Sequence, residues 1–176
     1  MKLYVDGARL AYALACPDTD VTLPDLARFC DAFYIGGTKC GALLGEAVVI
    51  PEKGSIPHFF TQIKQHGALL AKGRVIGVQF EVLFEDGLYD RIGIPAIEGA
   101  RRIRESLAAA GVELCFDSPT NQVFAVVDDA RLKELSEKVE YGFWEKRDDD
   151  HTVIRLATSW SSTPAEVDAL IEAIAR

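Results

Sequence analysis

Short apolar runs alternate with helical stretches through the first half of the chain, and that alternation limits the fold more than any other feature. Residues 3–5 read as a short buried strand. Residues 8–15 read as an Ala- and Leu-rich helix closed by Pro17. Residues 23–30 read as a second helix, with Thr22 as N-cap and Pro24 in its first turn. Residues 32–35 and 46–50 read as two further strands, and Gly36-Gly37 permits a sharp turn after the second strand. This order predicts an α/β layer around a largely parallel sheet. A helical tract is expected over 57–84, bent near Gly67, Gly73 and Gly77, and another helix over 88–110, stopped by Gly111.

The pattern then changes. Strands are expected at 112–116, 122–127, 141–145 and 152–157, with a helix from Asp128 or Asp129 to about Val139. Thr163, Pro164 and Glu166 form the capping-box signature of a last helix. The expected organisation is a partial parallel-sheet large domain over 1–87 and a small α+β domain over 88–176.

With 27 acidic against 19 basic residues, the net charge of −8 argues against nucleic acid or an anionic membrane as partner. No stretch approaches the roughly 20 apolar residues of a membrane helix, and no secretory leader is apparent. The four cysteines and three histidines show neither CxxC nor HExxH spacing, so no metal site is expected. Thiols in such a chain are expected to be reduced core residues in the cytoplasm.

Asp6 closes the first apolar run, and Lys39 follows the second strand just beyond Gly36-Gly37-Thr38. An acid ending one strand and a lysine past the next is how many enzymes hold pyridoxal 5'-phosphate (PLP). The amine forms a Schiff base with the cofactor aldehyde, and the acid pairs with the protonated ring nitrogen. Each residue also has a plainer reading. Asp6 would cap the helix near Ala8, and Lys39 would be a solvated loop charge. A phosphate-loop reading fails, because the Gly-x-x-x-x-Gly-Lys-Ser/Thr order is absent. Schiff-base chemistry asks for a lysine whose pKa is depressed by burial.

Arg155, inside the apolar run 153–157, suits a carboxylate gripped by two parallel hydrogen bonds, or else points outward on an edge strand. Arg74, with Lys72 nearby, suits a phosphate, or else lies on the polar face of a helix.

Taken in order, Asp6-Gly7-Ala8-Arg9, Gly36-Gly37-Thr38-Lys39, Glu46-Ala47-Val48-Val49, Lys64-Gln65, Lys72-Gly73-Arg74, Thr120-Asn121-Gln122-Val123-Phe124 and the run from Arg155 to Trp160 resemble the low-specificity L-threonine aldolases. These belong to the aromatic amino acid β-eliminating lyase/threonine aldolase group of PLP enzymes. The resemblance runs along the whole chain but corresponds to the C-terminal part of an aspartate-aminotransferase-like fold. It implies Lys39 as the PLP lysine and Asp6 as the pyridine partner, with Thr38 and Arg74 also at the cofactor. Arg74 would reach the phosphate of a neighbouring subunit. Arg9 and Arg155 would hold the carboxylate of a small amino-acid substrate. The implied reaction cleaves threonine or allo-threonine to glycine and an aldehyde, in a homodimer or homotetramer. The family's phosphate-holding glycine loop and ring-stacking aromatic have no counterpart in this sequence. An aminotransferase, a β-eliminating lyase, an inactive truncated remnant serving as a dimerisation module, or a plain α/β domain without the cofactor are the competing readings.

Overall fold

The computed structural model describes residues 1–175 and divides into two compact units. The first comprises Met1–Leu14 and Thr19–Ile92; the second comprises Ala15–Asp18 and the chain from Gly93 onward.

In the first unit, strands β1 (Tyr4–Val5), β2 (Ala32–Gly36) and β3 (Glu46–Val49) form a sheet in that order. β1 and β2 are parallel, with Tyr4 opposite Ala32 and Val5 opposite Phe33. They are joined through helices α1 (Leu10–Ala15) and α2 (Leu23–Phe29), the crossover that parallel neighbours need. β3 departs from the expected parallel arrangement and pairs with β2 antiparallel, Tyr34 opposite Val48. The connection from Gly37 to Gly45 is too short for a crossover, so the chain must turn back.

α2 begins as its sequence dictates. The Thr22 side chain accepts from the Asp25 backbone, and the Asp25 carboxylate accepts from the Thr22 backbone at 2.9 Å. Beyond the sheet lie α3 (Phe59–Gln65), α4 (Arg74–Phe84), a single 3₁₀ turn and α5 (Leu88–Arg91). The tract expected over 57–84 is therefore two helices. Gly67, at φ +67°, follows the end of α3, whereas Gly77 sits inside α4 without breaking it. Leu10, Ala11, Phe33, Ile35, Phe80, Leu83 and Tyr89 are the centre of this unit's core.

The helix expected over 88–110 is also two. α6 (Ile94–Ala109) starts afresh with a proline in its first turn and ends before Gly111, at φ +73°. The second unit continues with β4 (Gln122–Asp128), α7 (Asp129–Leu135), β5 (Gly142–Lys146), β6 (His151–Ala157) and α8 (Pro164–Ala175). Its sheet is antiparallel in the order β4-β6-β5. The strand expected at 112–116 is reduced to one bridge, Leu114 with Ala125. Strict alternation puts Val123, Ala125 and Val127 of β4 against Ala100, Ile103 and Leu107 of α6, while Phe124 and Val126 join Val153 in a separate cluster. α8 has the expected cap, with the Thr163 N–H donating to Glu166 Oε2 at 2.7 Å and Thr163 Oγ1 accepting from the Glu166 N–H at 3.3 Å. Among the described residues no helix is long and apolar enough to cross a membrane.

Candidate active site

Two side chains emerge beyond the carboxyl ends of the parallel pair, the place where open α/β sheets hold ligands. Asp6 follows β1 directly. Its Oδ1 accepts the Ala8 N–H at 3.0 Å and also the Tyr34 hydroxyl from β2. Its Oδ2 has no partner among the described residues. The phenol bond first, and the Ala8 bond second, hold the carboxyl below the usual aspartate range, and the charges of Lys39 and Arg9 act in the same direction. The helix-entry role thus takes one oxygen of Asp6 and leaves the other open.

Lys39 stands three residues past β2. The backbones cross tightly here. The Gly36 N–H donates to the Gly7 carbonyl at 2.9 Å, and a Cβ on Gly7 would come 1.7 Å from the Tyr34 carbonyl oxygen. Glu46, the first residue of β3, grips the turn ahead of the lysine. Its Oε2 accepts the Gly37 N–H at 2.7 Å and its Oε1 accepts the Thr38 hydroxyl at 2.9 Å. The Lys39 carbonyl accepts the hydroxyl of buried Tyr12. Cys40 is buried, and loss of water followed by the Glu46 charge pushes its thiol up to about 11. Cys40 is therefore a packed thiol. Lys39 is exposed, in contrast to the burial expected of a Schiff-base lysine.

Arg9 lies half-buried at the entry to α1, near enough for its charge to act on Asp6. Asp6, Arg9 and Lys39 are thus brought together in the first unit. Arg74 opens α4 in the same unit, exposed and without an ion pair among the described residues. Arg155 belongs to the second unit, on β6, which is the central strand and not an edge. It lies opposite Phe124 on one side and Gly142 on the other. A Cβ on Gly142 would sit 3.4 Å from the Arg155 Nε, an ordinary contact distance, so the guanidinium lies alongside this residue. Its Nη1 lies 3.4 Å from Gln122 Oε1, and no carboxylate among the described residues claims it.

In the sequence, no motif marks Tyr34, and Glu46 stands out only at the head of Glu46-Ala47-Val48-Val49. The available signals were faint: a hydroxyl-bearing aromatic between buried Phe33 and Ile35, and an acid opening an apolar strand.

Together these elements form part of the α/β fold of the aspartate-aminotransferase-like PLP enzymes. A serine palmitoyltransferase solved with its PLP internal aldimine matches 99% of this chain and 46% of its own, with a TM-score of 0.67 at 12% identity. Within that class the sequence is similar to threonine aldolases. The threonine aldolase structure from Leishmania major matches 99% of this chain with a TM-score of 0.94 at 38% identity, and 51% of that chain is covered. The low-specificity L-threonine aldolase of Pseudomonas sp. is 31% identical over 142 residues, 78% of this chain and 40% of the relative. This chain therefore spans about two fifths of the length of that curated relative. No protein-family model matches it.

Proposed function

We propose that the chain is the PLP-holding part of a carbon–carbon lyase that cleaves threonine-like β-hydroxy amino acids to glycine and an aldehyde. The observation that carries this reading is the placement of Asp6 and Lys39 just beyond neighbouring parallel strands, close enough for the lysine charge to act on the acid. The donor set fits the cofactor: an ionised carboxylate with one free oxygen for a ring nitrogen, and an accessible amine for an aldehyde. When bound, PLP supplies a ring that takes up the electron pair released at the substrate's α-carbon.

The residues have separate tasks in this reading. Lys39 Nζ holds the cofactor, and Asp6 Oδ2 keeps a proton on the ring nitrogen. Thr38 lies beside the cofactor lysine while its hydroxyl proton goes to Glu46. Arg9 orients the substrate carboxylate, with Arg155 on the second unit a separate candidate for that role, and orientation of the breaking bond is worth much of the barrier. Arg74 serves the cofactor phosphate of a second copy in a homodimer or homotetramer, placed in the cytoplasm.

The test mixes the full chain with PLP, fixes the adduct with borohydride and maps the modified peptide. Label on Lys39, lost in Lys39→Ala, is expected. With L-threonine added, glycine and acetaldehyde are expected. Keto acid or ammonia in their place would reject the lyase assignment.

A further inference from the structure

We infer that Tyr34 is a positioning residue of the cofactor site, turning the Asp6 carboxylate so that Oδ2 is the oxygen offered to a pyridinium nitrogen. This rests on the PLP reading above. Oδ1 receives two donors, the Tyr34 hydroxyl and the Ala8 N–H, while Oδ2 receives none among the described residues. The donors come from different elements, Ala8 from the entry to α1 and Tyr34 from β2. A carboxylate held by one donor can swivel about it, whereas two donors from separate elements fix its plane. Tyr34 is itself held, half-buried in the middle strand between Val48 and the Tyr4 ring, whose centroid is 6.4 Å away.

The electrostatics agree with the geometry. A ring nitrogen keeps its proton only while the acid opposite stays ionised. The phenol bond is the largest cause lowering the Asp6 pKa, and Asp6 in turn pushes the phenol up to about 12. Tyr34 therefore remains a donor throughout the neutral range. Lys39 and Arg9 face the acid, and Glu46 and Tyr4 face the phenol. Removing the hydroxyl must move the Asp6 titration upward.

The test uses the full chain and Tyr34→Phe, which keeps the ring. Carboxyl NMR titration without cofactor is expected to show a higher Asp6 midpoint in the variant. The reciprocal variant, Asp6→Ala, guards against misfolding of the first. Its Tyr34 phenol, followed by ultraviolet titration, should fall toward the ordinary value of about 10. With PLP as probe, borohydride labelling of Lys39 in Tyr34→Phe should drop about tenfold, the loss expected for one charge-assisted hydrogen bond near solvent. Unchanged midpoints in both variants overturn the role of Tyr34 and leave the PLP reading standing. A shifted midpoint with undiminished Lys39 labelling also overturns it, since the tyrosine would then be structural. Wild-type label scattered over other lysines overturns the PLP reading and this inference together.

Discussion

Gly7 separates the chain that carries Asp6 from the strand that leads to Lys39. A methyl group there would meet a backbone oxygen at 1.7 Å, and neither side can yield without moving β2. Gly7→Ala is therefore expected to lose at least about 3 kcal/mol, at the severe end for overpacking. Urea denaturation should show a lower midpoint at unchanged slope. A midpoint within error of wild type would mean the two segments are not as close as described. At this scale the positions of Asp6 and Lys39, just past β1 and β2, were legible, because each is defined by its distance from the end of an apolar run. Tyr34 and Glu46 were not. Their hydrogen bonds cross between strands or between a strand and a turn, and which residues meet there depends on a register that one-dimensional pattern does not contain.

Capping and turn chemistry is local, so the starts of α2 and α8 were legible from Thr22 and Thr163. Strand direction is not local. β3 carries the expected apolar run but reverses, because its connection is short. The 112–116 run had strand composition and became a single bridge, its backbone bonding limited to pairs such as Cys115 N–H to Phe124 O at 2.9 Å. The turn between β5 and β6 offers a pH test. Asp148 Oδ1 accepts the backbone N–H groups of Asp150 and His151, both at 2.9 Å, and its carboxylate also binds the His151 ring. The Asp148 hydrogen bond first, then its charge, raise the imidazole pKa, with Asp128 and Asp150 adding to it. Asp148 is lowered in return. The histidine's contribution to stability is therefore complete below its ordinary value of about 6.5 and is lost as pH rises through the raised value. The aspartate's contribution is present above about 3.9 and lost as pH falls through the depressed value. Proton NMR of the His151 ring should show a midpoint above 6.5 that returns toward about 6.5 in Asp148→Asn. An unmoved midpoint would reject the pairing.

For the whole molecule, net charge and exposed apolar surface set the behaviour in solution. The chain carries −8 at neutral pH, yet Leu43 is 89%, Phe29 63% and Phe60 62% exposed. Repulsion between copies opposes association through such side chains. Acidification protonates carboxylates and removes that repulsion, so light scattering should rise steeply as pH falls toward about 5 at low salt. Asp6, Asp25, Asp31, Asp129, Asp148, Glu98 and Glu166 are all held below their ordinary ranges, which delays the loss of charge. Flat scattering across that range would show that charge is not what keeps copies apart. At this scale the sequence made the fold class legible, since strand–helix alternation followed by an antiparallel pattern survives small errors of boundary.

The grip of Glu46 on the turn has a consequence for redesign. An amine cannot be rehoused one place earlier or later. Position 38 would surrender the hydroxyl that Glu46 binds, and position 40 opens into packed interior. Relocating the Lys39 amine would mean rebuilding the start of β3 along with the loop, so the address of that lysine is written in two strands at once.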